Sequence, residues 1–257
     1  MYQFYSKEER EVLREGGKKL AWILKQLENF LHVGLGVSNI EKKSLELIEE
    51  VGATPATVGY APSGASYPFP SAVCTSINNE VAHGISKNNK YRLKDGDVVS
   101  LDIVIKYKGL FVDICRTYGV GKMSKKDLEL IATAKEVTRE AVLQAKIGNT
   151  TEDIGGTAEK VAREFNFDTV KELGGHGVGR KIHDKPFIPN GKNLGVPVVK
   201  IEEGMVLAIE PIVCEGDWGI KIAKDDYLFL TKDGKKTAQF ENTILVTKNG
   251  PEILTKL

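Results

Sequence analysis

The stretch Leu101–Thr117, LDIVIKYKGLFVDICRT, decides how the rest of the chain must be arranged. Two runs rich in β-branched and aromatic residues flank Lys108-Gly109, the pattern of a β-hairpin. Each run carries one carboxylate, Asp102 and Asp113. With a two-residue turn, Tyr107 faces Leu110, Asp102 faces Cys115 and Asp113 faces Val104. Both acids then share one sheet face as diagonal neighbours, about 7–8 Å apart. A three-residue turn would put them on opposite faces. On a shared apolar face, two carboxylates repel each other and resist burial unless positive charge lies between them. A metal ion supplies that charge.

Outward from the hairpin, the chain reads as a repeat. Ser6 with Glu9 predicts a capped amphipathic helix with Val12, Leu13, Leu20, Ile23, Leu24 and Leu27 on its inner stripe. Gly16-Gly17 inside it costs about 1 kcal/mol per glycine against alanine, so close packing is expected there. Ser38 with Glu41 opens a second helix that stops at Gly52. Residues 53–85 are rich in Gly, Pro and Ser and hold strand-like pieces such as AVCTSI. Ser124 with Asp127 starts a third helix ending near Gly148, and Thr150 with Asp153 a fourth running to about Phe165. The segments LKDGDVVSLDI (Leu93–Ile103) and IEEGMVLAIEP (Ile201–Pro211) then match. Each has a glycine and, six residues later, an acid: Asp102 after Gly96, Glu210 after Gly204. The chain is read as one domain of pseudo-symmetric halves, about 1–122 and 123–257, with a site where equivalent strands meet.

The totals exclude several classes. With 257 residues and 41% apolar content there is ample material for a core. A formal charge of +1 provides no global field to recruit nucleic acid or anionic lipid. Cys74, Cys115 and Cys214 are widely spaced, with neither zinc spacing nor an even disulfide framework, which suits a reducing cytoplasm. The opening MYQFYSKEER turns charged at once, so no signal peptide is expected, and no apolar run approaches the roughly 18 residues of a membrane span.

Three further segments place ionisable groups in apolar settings. LGGHGVGRKIHDKPFIPN contributes His176 and His183, MVLAIEPIVC contributes Glu210, and KTAQFENTILVT contributes Glu241. Asp102, Asp113, Glu210 and Glu241 all interrupt strand-like runs, where a lone acid is expensive. Four carboxylates and an imidazole are oxygen and nitrogen ligands suited to two divalent ions such as Mn, Fe, Co or Zn.

The set SINNEVAHGI, LDIVIKYKGLFVDI, GGHGVGRKIHDKP, AIEP and QFENTILVT, in that order along nearly the whole chain, resembles the type I methionine aminopeptidases of the M24 metallopeptidase superfamily. The resemblance implies a "pita-bread" fold, a mixed α+β architecture of two antiparallel half-sheets flanked by two helix pairs. It implies that Asp102 chelates one metal, Asp113 and Glu241 bridge both, and His176 and Glu210 hold the other. His83 matches the histidine that contacts the scissile peptide, His183 the one that stabilises the tetrahedral intermediate, and Glu210 is also the general base. Phe69, Cys74, Ile182 and Tyr227 match the side-chain pocket. Family members often have an aromatic where Ile182 stands and another about where Ser66 stands; Tyr67 is expected to substitute for the latter.

The activity so implied is removal of the initiator methionine from nascent chains with a small second residue, by a cytoplasmic monomer compatible with transient ribosome contact. The 27 residues from His183 to Glu210 are too few for the type II insertion, which points to the short bacterial kind. Two alternatives stay open: a proline-directed aminopeptidase or prolidase of the same superfamily, and a non-catalytic pita-bread binding module.

Overall fold

A computed structural model describes residues 4–62 and 65–256. The expectation of no leader rests partly on Met1 to Gln3, which lie outside those residues. The hairpin forms from Val98–Tyr107 and Leu110–Gly119, paired along their full length with Tyr107 opposite Leu110, Asp102 opposite Cys115 and Val104 opposite Asp113. Lys108 and Gly109 both have positive φ, 46° and 90°, the conformation of the two-residue turns that match strand twist. The two-residue alternative therefore holds, and both acids share a face.

Four helices form: α1 (Lys7–Phe30), α2 (Val37–Glu50), α3 (Lys125–Leu143) and α4 (Thr151–Glu164). Ser6 and Glu9 cap α1 reciprocally, and Thr150 and Asp153 do the same for α4. The inner stripe of α1 buries Leu13, Leu20, Ile23, Leu24 and Leu27, while Val12 is only partly covered. A Cβ on Gly17 would lie 2.3 Å from the Leu254 carbonyl oxygen, which accounts for that glycine.

Two expectations fail at helix ends. Ser38 does not cap α2, whose N-cap is Gly36 without a side-chain bond. The Val37 amide instead donates to the Tyr91 carbonyl at 3.0 Å, and Glu41 turns away to the amide of Ala72 at 2.9 Å. The third helix stops at Leu143, not near Gly148, because the Asn149 side chain takes the Gln144 carbonyl at 3.0 Å and the chain turns.

One sheet centres on Val98–Tyr107, with Leu110–Gly119 along one edge and Cys74–Ile77 and Thr54–Pro55 sharing the other. A five-stranded sheet runs in the order Gly250–Ile253, Asn242–Thr247, Val206–Ile209, Gly174–Gly177, Asp184–Pro189. Helices α1 and α2 pack with the first sheet around one apolar core, α3 and α4 around a second. The two matching segments make matching backbone hydrogen bonds. Gly96 (φ 83°) donates to Val120 and Gly204 (φ 89°) to Val246, both at 2.9 Å. Val120 and Val246 donate back to Asp97 and Met205, again at 2.9 Å. The halves then diverge, for Asp102 continues its strand while Pro211, lacking an amide proton, follows Glu210 and ends the ladder at Ile209.

The two sheets meet at Leu110–Gly119 and Asn242–Thr247. The Glu241 amide donates to the Cys115 carbonyl at 2.9 Å, and Thr243 Oγ1 bonds both the amide and the carbonyl of Asp113. Arg116 reaches across to the Glu241 carbonyl and to Asn242 Oδ1. Among the described residues, no helix is long and apolar enough to cross a membrane.

Candidate active site

The seam carries the acids. Asp102 and Asp113 face the same way from the hairpin, and Asn242 opposite Ile209 sets Glu241 beside Glu210 at the end of their strand pair. His176, on Gly174–Gly177, pairs with Ala208 on the same sheet. Its Nε2 lies 3.4 Å from Glu210 Oε1 and 3.9 Å from Asp113 Oδ2. Ligand atoms of Asp113, His176 and Glu241 all fall within 4.8 Å of one another. Asp102 lines the same cavity as Asp113, His176, Glu210 and Glu241, which brings in the fifth residue.

The donor set fits a metal. Among the described residues, Asp113 Oδ1 and Glu241 Oε1 are buried with no hydrogen-bond partner, an arrangement that ordinary folding leaves unstable. His176 Nδ1 lies 2.9 Å from the Gly177 carbonyl oxygen, which can only accept; the proton sits on Nδ1 and the Nε2 lone pair faces the acids. Burial pushes Asp102 up to about 7. Burial, then the charges of Glu241 and Asp102, holds Asp113 well above the usual carboxylate range. Glu210 is raised by burial and by Asp113, and Glu241 by burial and by Glu210. Burial, then His183, lowers His176 to about 3, keeping it in the neutral form that ligates. Such acids release their protons readily only to a cation.

The cluster floors a cavity of about 270 Å³. His83 and His183 line it, as do Phe69, Cys74, Ile182 and Tyr227. His83 follows the strand Glu80–Ala82 with φ 61°, a left-handed conformation rare for a residue with a side chain. Its ring packs against Phe229 at 5.5 Å, and burial followed by the nearby His183 lowers its pKa to about 4. His183 stands at the mouth, open to solvent on one side, its ring 4.5 Å from that of His176 on the other. Packing there lowers its pKa too.

Comparison with known proteins gives this geometry a family. Residues 11–248 match the description of metallopeptidase family M24. A methionine aminopeptidase of Aquifex aeolicus is 37% identical over 99% of each chain. The crystal structure of a methionine aminopeptidase from Thermotoga maritima superposes with a TM-score of 0.93 at 35% identity, covering all of both chains. The chain belongs to metallopeptidase family M24. Its fold is the pita-bread architecture of the methionine aminopeptidases. A prolidase from Pyrococcus furiosus, 24% identical with a TM-score of 0.77 over 99% of this chain and 65% of that one, shares the fold.

Within this M24 member, the pocket differs from expectation at one point. Tyr67 does not line the cavity; it is exposed, packs edge-on against Tyr227 at 5.1 Å and donates to the Asp225 carbonyl at 2.7 Å. Ser66 likewise turns outward, donating to Asp226 Oδ2 at 2.6 Å. Tyr60 lines the cavity instead, its hydroxyl 2.9 Å from His183 Nδ1. That contact spans 123 residues of sequence, so no local signal points to it. Gln239 was also unforeseen: its Nε2 donates to Glu210 Oε2 at 3.0 Å. A signal for it does exist, since Gln239 stands two residues before Glu241, the spacing of a shared strand face.

Proposed function

We propose that this chain removes N-terminal methionine from peptides and new proteins, preferring a small second residue. The observation that carries the reading is the convergence of four acids and a neutral imidazole on the floor of an apolar-walled cavity. The names and full-length coverage of the relatives support it.

In this reading Asp102, Asp113, His176, Glu210 and Glu241 would together hold the divalent metal. When bound, such ions lower the pKa of water towards neutrality and polarise a carbonyl. The protein's own groups do the rest. Glu210 takes the proton from the attacking water, its other oxygen held by Gln239. His83 donates to the scissile peptide, and His183 to the carbonyl oxygen as negative charge grows there. Phe69, Cys74, Ile182 and Tyr227 form a soft apolar wall for a thioether side chain. The paired hydrogen bonds at Gly96 and Gly204 support one catalytic domain of two related halves, 1–122 and 123–257. The reading extends to a cytoplasmic monomer working on nascent chains, with transient contact at the ribosome.

Kinetics on Met-Ala-Ser and Ala-Pro peptides with Mn, Co, Fe or Zn supplied test it. Cleavage of Met-Ala-Ser is expected. Preference for Ala-Pro would favour the prolidase-type alternative, and no hydrolysis of any N-terminal residue with metal bound would favour the binding module.

A further inference from the structure

Tyr60 is anchored by its own backbone. Its amide donates to the Thr57 carbonyl at 3.0 Å and its carbonyl accepts from Phe69 at 2.8 Å. The neighbouring Ser66 and Tyr67 are fastened to Asp226 and Asp225. The Tyr60 ring packs on His183 with centroids 5.4 Å apart and planes tilted by 55°. Among the described residues, the Tyr60 hydroxyl has one hydrogen-bond partner, Nδ1 of His183, and Nε2 of His183 has none. Burial raises the phenol pKa, so the hydroxyl keeps its proton.

A neutral phenol has one proton to donate, and a neutral imidazole has one nitrogen that accepts. Within this pair, the phenol proton is used only when O–H donates to Nδ1. We propose that Tyr60 is a positioning residue that fixes His183 as the tautomer with its proton on Nε2. His176 provides the contrast. Its Nδ1 meets a carbonyl, which forces the proton onto Nδ1 and leaves Nε2 a lone pair for a cation. His183 meets a hydroxyl at the same ring position, which reverses the assignment. Two imidazoles whose rings are 4.5 Å apart are thus set to opposite tasks by their partners, one as a ligand and one as an N–H donor. The donor role towards a developing oxyanion rests on the function proposed above; the tautomer does not.

The test uses the full metal-free chain labelled with ¹⁵N, in which long-range ¹H–¹⁵N correlations report the protonated nitrogen of each of the four histidines. His183→Gln identifies the His183 signals. In the unmodified chain, His183 is expected to show a protonated Nε2 and a bare Nδ1, and Tyr60→Phe to average or reverse that pattern. With metal supplied, Tyr60→Phe keeps the ring against the cavity, so KM for Met-Ala-Ser should hold while kcat falls about tenfold, the equivalent of one hydrogen bond. A proton on Nδ1 in the unmodified chain overturns the proposal without any variant. So does an unchanged tautomer in a folded Tyr60→Phe, or a loss confined to KM. If the unmodified enzyme cleaves no methionyl peptide, the proposed function fails while the tautomer result still stands or falls by NMR.

Discussion

Glu241 is 1% exposed, and one of its oxygens has no partner among the described residues, so its charge is tolerable only beside a cation. Asp113, at 4% exposure, is in the same position. Glu241→Ala or Asp113→Ala should therefore cost at least about 10²-fold in hydrolysis of Met-Ala-Ser, since even groups behind the ligands cost that much. Bound metal should fall in parallel, measured by elemental analysis. Near-normal turnover with intact metal content would remove the bridging role. His83 should behave differently, because its contacts are with Phe229 and not with the acids. His83→Ala is expected to retain metal while kcat drops by roughly 10²–10³-fold, as for loss of one preorganised donor. Loss of metal in that variant would mean that His83 is a ligand.

At the scale of elements, α2 reaches the cavity through one carboxylate. Glu41 accepts from Ala72 at 2.9 Å and from Val73 at 3.4 Å, immediately before Cys74, which pairs with Asp102 and lines the cavity. Glu41→Ala orphans buried amides and should cost about 1–3 kcal/mol in denaturant unfolding, with a raised KM for methionyl substrates. A change under about 0.5 kcal/mol, the range of neutral surface substitutions, would show that the loop holds itself. The same element marks where sequence reading stops. The hairpin register was legible because alternation has a period of two and the turn is short, so each residue's face follows from its neighbours. The acids were legible because a carboxylate inside an apolar strand demands an explanation. Ser38 misled because the first amide of α2 is satisfied by Tyr91, far off in sequence. Tyr67 was misplaced and Tyr60 missed for a similar reason: which aromatic turns inward depends on bonds to Asp225 and His183, not on spacing.

For the whole molecule, folding must accommodate four acids gathered on one cavity. Asp102 at about 7, and Asp113, Glu210 and Glu241 well above the usual range, bind protons more tightly folded than unfolded. Raised folded-state values mean stability that is present at low pH and lost as pH rises through them. The lowered histidines act in the opposite sense, but only below their unfolded value of about 6.5. Between about pH 6.5 and 8.5 the acids lead, joined towards pH 8.5 by the buried thiols of Cys74, Cys115 and Cys214, whose raised values act in the same sense, so melting of the metal-free chain should shift to lower temperature as pH rises. Saturating Mn should cancel that trend, because a cation replaces the protons. Greater metal-free stability at pH 8.5 than at pH 6.5 would contradict the clustering of these carboxyls. The most direct measurement is anomalous scattering from a crystal of the Mn-loaded protein. Two Mn peaks bounded by Asp102, Asp113, His176, Glu210 and Glu241 are expected; Mn absent from that cluster, or bound elsewhere on the chain, would contradict a shared metal centre between the halves.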